Sequence, residues 1–280
     1  MDKPWLECAS RQHKQRDFSN KPMTELSYKD WQVEVTRVTA FYNPLPTETT
    51  QQWNSWWNDL VGVPPENSNF RKRDGVSQHD GPFHGAVLIL ALQPSRIDWY
   101  LKANGEEQNI EGLGESAFLR PEAITKFQEL VTKWMQLGSY PSVNRIALGQ
   151  VLLHPVESKE AGYLYLGNFL HSVRLEPESS DFMYQINRPR QSNVVNGLRI
   201  NRLLKCAVRL SAQLSFSVPM DTKENSAFAR QVKSNHACRV ELDINTAQEH
   251  TGQFDRAASE RILGELINLA KEIAEKGETP

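Results

Sequence analysis

The sequence predicts an α+β protein in which a mainly antiparallel sheet is backed by amphipathic helices. Three observations carry that expectation. From Cys206 to Phe216 every even position is apolar, and every odd one except Ala207 is polar. The same parity holds from Cys238 to Ile244, so both strands show one face to a core and the other to water, which is antiparallel behaviour. Strand candidates also come in runs instead of alternating one-for-one with helices.

The elements follow in chain order. Residues 1–29 are polar and without sustained periodicity, and they read as a flexible or loosely docked arm carrying the basic cluster Arg11–Arg16. Trp31-Gln-Val-Glu-Val35 alternates as a strand should; the apolar parity then shifts to Val38, Ala40 and Tyr42, which calls for a bulge near Arg37. A first helix is expected after a Thr47 or Thr49 cap, with Trp53, Trp56, Trp57 and Leu60 on one stripe and Gly62 and Pro64-Pro65 as stops. A loop through Arg71–Arg73 should lead to a doubly covered strand over 83–93 and an antiparallel partner over 96–103, closed by Asn104-Gly105.

The second helix has Pro121 in its first turn and Gly138 just past its end, with Phe127, Leu130, Val131 and Trp134 among its apolar residues. At least five strands are expected beyond it, at 144–153, 162–171, 181–188, 202–218 and 237–245, with a turn at Asn196-Gly197. A final helix over about 255–276 carries a broad stripe from Ile262 to Ile273 and stops at Gly277. The expected organisation is therefore an arm (1–29), a smaller unit (30–103), a Gly- and Glu-rich linker (104–116) and a larger unit (117–276), giving two sub-domains.

Composition narrows the function classes. The chain has 280 residues, and its longest apolar run is the seven residues Ala86–Leu92. A membrane-spanning helix needs about 20, so no membrane partner is expected. Cys8, Cys206 and Cys238 are odd in number and widely spaced, and the first residues lack the apolar stretch of a secretory signal; a cytoplasmic setting follows. The phosphate-cradling Gly-x-x-x-x-Gly-Lys-Ser/Thr loop, the dinucleotide glycine fingerprint, the His-Glu-x-x-His zinc motif and paired Cys-x-x-Cys are all absent. No catalytic residue, cofactor or metal is expected on that reading.

His79-Asp80-Gly-Pro-Phe-His84 is the one close grouping of ligand-type side chains, but its spacing matches no familiar metal site, and a polar turn is the simpler reading. An unrecognised enzyme would need a cleft joining His79, Asp80 and His84 with His154, His171 or His236.

Charge is more informative. The net charge of −2 hides an uneven distribution. Residues 182–220 contain no acid but carry Arg188, Arg190, Arg199, Arg202, Lys205 and Arg209, whereas residues 241–280 carry nine acids against four bases. The basic stretch is a candidate polyanion (DNA or RNA) footprint. The competing expectation is a solvated face neutralised by neighbours such as Glu241 and Asp243. Trp53, Trp56 and Trp57 form a core stripe on helical spacing; an exposed edge there would make a partner-binding patch.

The helix at 121–137 leads into Tyr140-Pro-Ser-Val-Asn-Arg-Ile-Ala-Leu148, and the late strand Val240-Glu-Leu-Asp-Ile-Asn245 precedes the last amphipathic helix. This layout, over roughly residues 118–275, resembles a sporadically distributed family of uncharacterised bacterial proteins of about this length. Ala147 stands where that family usually has glycine, and Asn245 where an acid is typical. The resemblance implies a bacterial cytosolic context, compatible with a mobile-element or phage-defence setting, and implies no chemistry. The leading expectation is a non-enzymatic binding or assembly component acting through a protein partner or through self-association. The alternative is a nucleic-acid binder using the basic stretch.

Overall fold

The computed structural model describes residues 27–44, 52–71, 73–104, 118–176, 178–217 and 229–278. Most of the expected arm, the expected linker after Asn104, the caps Thr47 and Thr49, and Gly105 lie outside the described residues. The last part of the arm region is a 3-10 turn, Tyr28–Asp30, whose Tyr28 hydroxyl accepts from Gln150 Nε2 at 3.2 Å.

One ten-stranded sheet organises the described residues. Its strands are β1 (Gln32–Tyr42), β2 (Asn67–Arg71), β3 (Val76–Phe83), β4 (Ala86–Gln93), β5 (Arg96–Ala103), β6 (Val143–Val156), β7 (Met183–Asn187), β8 (Arg190–Gln191), β9 (Arg199–Ser217) and β10 (Ala229–Thr246). The order is β2-β3-β4-β5-β1-β6-β10-β9-β7, with β8 also on β9, and every pairing is antiparallel. The α+β architecture is thus the one the alternating strands predict. Because β1 pairs with β5 on one side and β6 on the other, the sheet runs without a break across the expected division between 30–103 and 117–276. The core is continuous there too: Trp99 of β5 meets Trp134 edge to face at 6.2 Å.

Among the described residues four helices flank the sheet: α1 (Trp56–Val61), α2 (Pro121–Gln136), α3 (Lys159–Phe169) and α4 (Arg256–Lys276). The apolar stripe of α2 lies against β5, that of α3 against β9 and β10, and that of α4 against β6 and β10. They cover the face to which the even residues of β9 and β10 point, including Leu204, Cys206, Val240 and Leu242. Asp255 caps α4 by accepting from Ala258 N at 2.7 Å, and Gly277, at φ +70°, ends it.

Three expectations need correction. The strand expected at 162–171 is helix α3. Tyr163, Leu166 and Phe169 are buried at helical spacing, Ser158 caps the first turn, and Gly162 lets the helix lie close on Val208. The segment from Asn67 to Pro82, expected as loop, contributes β2 and all of β3 but its last residue. The bulge of β1 falls at Glu34, between the paired Val33 and Val35, instead of near Arg37.

Candidate functional site on the open sheet face

Strand parity divides the six basic residues that the sequence groups together. Arg188, Arg190 and Arg202 lie on the helix-covered side. Arg190 makes a bidentate pair with Glu272 of α4 at 2.9 and 3.2 Å, and Arg188 pairs with the buried Glu278 just beyond α4. Arg202 is only 2% exposed and donates its Nε to the Arg188 carbonyl at 2.8 Å. Lys205 and Arg209 project from the opposite face toward Glu241 (3.6 Å) and Glu34 (3.4 Å). Arg199 is exposed and has no carboxylate partner among the described residues. These residues therefore do not form one exposed patch: the acidic C-terminal region folds back onto the basic stretch and neutralises half of it. Burial works against ionisation of Glu278, but Ser172 and Arg188 overcome it, so the carboxyl titrates below its ordinary value.

The tryptophans are also interior. Trp53 and Trp56 stack at 5.0 Å, Trp56 Nε1 donates to Ser139 Oγ at 2.7 Å, and Trp57 stacks on Trp99 at 6.4 Å. All three are fully buried, so they form core and no partner-binding edge. His79 packs near Trp57 and bonds Ser68 and Ser77, and burial pushes its imidazole pKa down. His84 sits with Gly85 in the two-residue β3–β4 turn, both at positive φ, the backbone of a type I′ hairpin. Among the described residues no three His, Cys, Asp or Glu side chains are arranged to hold a metal. Burial pushes the Cys206 and Cys238 thiols up, the latter to about 12, so neither is a thiolate at neutral pH.

The other face of the sheet carries no helix among the described residues, and its chemistry comes from side chains far apart in sequence. One rung of cross-strand neighbours includes Tyr100 (β5), Arg37 (β1), Gly149 (β6), Asp243 (β10) and Leu203 (β9). Gly149 has no side chain to intervene, so Arg37 lies over it and reaches Asp243 at 3.8 Å, with the Tyr100 ring 5.8 Å from its guanidinium. The adjacent rung runs Val35, Val151, Glu241 and Lys205. Together they line a cleft of about 360 Å³. Further along, Phe41 is sandwiched between Arg96 and Arg145, and the buried Asp98 is held by Arg96 and Thr39.

The cations on this face outnumber the acids. Among described side chains of β5, β1, β6, β10 and β9 they are Arg96, Lys102, Arg37, Arg145, Arg239, Arg199, Lys205 and Arg209, against Asp98, Glu34, Glu241 and Asp243. The sequence singles out Arg199, Lys205 and Arg209 but not the others, since only the strand register brings them together.

A second feature of the sheet is a ribbon. The last β6 pair on β10 is Val156 with His236, and the last β7 pair on β9 is Met183 with Ala207. β9 and β10 continue past both and, among the described residues, pair only with each other for seven further pairs from Ser211–Asn235 to Ser217–Ala229. At about 3.3 Å per residue the projection is about 23 Å. Leu210, at its root, is 61% exposed. No helix among the described residues is long and apolar enough to cross a membrane. No family model matches the chain, and no curated protein matches it.

Proposed function

We propose that the protein is an assembly component that associates with a second copy of itself through the outer edge of β9 in the projecting ribbon. The carrying observation is the seven-pair ribbon with neither edge paired among the described residues. An isolated two-stranded ribbon is at best marginally stable in water, so adding strands favours the ordered form. Leu210 is exposed, and Ala212, Leu214 and Phe216 follow it at strand parity, which supplies the apolar sequence a packed pairing needs.

The two edges differ in a way that favours β9. Edge lysines and arginines oppose strand addition. The outer part of β10 carries Arg230 and Lys233 within residues 229–235, whereas β9 from Val208 to Ser217 carries only Arg209, with no acid, Gly or Pro. Antiparallel pairing of two identical β9 edges closes a two-fold dimer, the commonest symmetry of self-association.

Light scattering coupled to size-exclusion chromatography over a concentration series tests this reading. The expected species has twice the 32.0 kDa chain mass. Leu210→Lys should return it to the monomer with an unchanged far-ultraviolet spectrum. A wild-type chain that stays monomeric at high micromolar concentration overturns the proposal.

A further inference from the structure

The geometry points to a ligand site separate from the ribbon: the cleft over Gly149 and Val151 binds a small organic carboxylate with an apolar body. Its volume of about 360 Å³ lies within the range of small-molecule clefts. Two long cations enter from opposite sides. Arg37 arrives from β1 across Gly149, Lys205 arrives from β9, and both reach toward β10.

The state of the ion pairs decides the sign of the ligand. Both acids on β10 are served from elsewhere. Arg239 makes a close pair with Glu241, and Asn245 Nδ2 donates to Asp243 Oδ1 at 2.9 Å. The contacts of the two cleft cations with those acids are long by comparison, 3.8 Å for Arg37 and 3.6 Å for Lys205, beyond hydrogen-bond distance. Arg37 Nε is buried and has no hydrogen-bond partner among the described residues. Among the described residues each acid thus has a partner within hydrogen-bond distance while neither cleft cation does, so the partner that Arg37 and Lys205 lack is an anion. A guanidinium whose fork is unfilled suits a planar carboxylate, which accepts two parallel N–H bonds. The ligand body then lies against Tyr100, Val35, Val151 and Leu203, the ring and aliphatic surfaces lining the same cleft.

Sodium benzoate is a suitable probe, titrated at low salt and neutral pH with saturation-transfer NMR and calorimetry as readouts. Inorganic phosphate presents an anion without a body, and benzylamine presents the body with opposite charge. Benzoate is expected to bind, benzylamine not, and phosphate at least tenfold more weakly than benzoate. Arg37→Ala and Lys205→Ala should each weaken benzoate tenfold or more. Arg37→Lys should fall between Arg37→Ala and wild type, because it keeps the charge and loses the fork. Gly149→Leu should abolish binding by filling the floor. Lys205→Ala, at a partly exposed position, carries the test alone should an Arg37 variant fold poorly. Absence of benzoate binding, equal binding of benzylamine or phosphate, or indifference to Lys205→Ala overturns the assignment. The mass of the particle plays no part in these readouts, so the outcome is independent of self-association.

Discussion

Arg37 of β1 and Asp243 of β10 form an ion pair that passes over an intervening strand, because the β6 residue between them is Gly149. A Cβ at Gly149 would stand 3.3 Å from Arg37 Nε, close enough to push the guanidinium aside. Gly149→Val is therefore expected to break the pair and close the cleft. The pair is long and partly exposed, so its loss costs at most about 1 kcal/mol, while valine in a strand recovers a similar amount. Urea unfolding should show stability within about 1 kcal/mol of wild type, together with a changed Arg37 side-chain NMR signal. A loss of several kcal/mol would mean that Gly149 serves the packing of β6 instead.

Arg202 makes the opposite case, a cation whose role is structural. It is buried, its Nε serves the Arg188 carbonyl, and its own backbone N–H donates to Asn187 Oδ1 at 2.9 Å. Arg202→Ala removes a buried donor and leaves a void, at an expected cost of about 2–4 kcal/mol by urea unfolding. Arg202→Glu should cost more, since it sets a buried carboxylate near Glu272, which now interacts favourably with the arginine. Reversal here would abolish any binding activity by unfolding the protein, so it says nothing about a polyanion. The informative reversal is at the exposed Arg199.

What sequence could foresee follows from where the information resides. The alternation of 206–216 and 238–244 is local and survives intact as β9 and β10; Pro121 and Gly277 bracket α2 and α4 for the same reason. Helix α3 escaped because Tyr163, Leu164, Tyr165 and Leu166 are all apolar, so period 2 and period 3.6 fit equally well until the close approach of Gly162 to β9 is known. β3 escaped because Gly81 and Pro82 read as turn residues. Gly81 is small because a Cβ would press on Glu66 N and the Trp57 ring, and Pro82 lies beyond the last β2 pair, where its missing donor is not needed. The cleft was illegible in principle: Arg37, Gly149, Lys205 and Asp243 meet only through the register of four strands.

The tryptophan stack gives a direct measure of the core in the first half. Trp56 is fully buried between Trp53 and Trp134, at 5.0 and 5.7 Å. Trp56→Ala should destabilise by about 3–5 kcal/mol, as expected for a large aromatic removed from a close-packed interior. Trp56→Phe should recover most of that but leave the Ser139 hydroxyl without its donor, at about 1 kcal/mol. Thermal unfolding followed by tryptophan fluorescence checks both. If Trp56→Ala left stability unchanged, the helix α1 would be dispensable to the fold.

Acid should loosen the contact between α4 and the basic strands. The Arg190 hydrogen bonds hold the Glu272 carboxyl below its ordinary value of 4.5 against opposing burial. For Glu278 burial opposes ionisation, and the bonds from Ser172 and Arg188 more than offset it, again holding the carboxyl below 4.5. A carboxylate with a depressed folded pKa binds fewer protons folded than unfolded in this range, so stability rises with pH there. The contribution is complete above 4.5 and is lost as pH falls through the two lower folded values. Glu278→Gln should therefore be less stable than wild type at neutral pH, with the difference shrinking toward zero as the solution is acidified below 4.5. Urea midpoints for the two proteins at matched pH decide it. A difference that stays constant with pH would assign the effect to the shape of the side chain, and one that grows in acid would mean that the folded carboxyl titrates above 4.5.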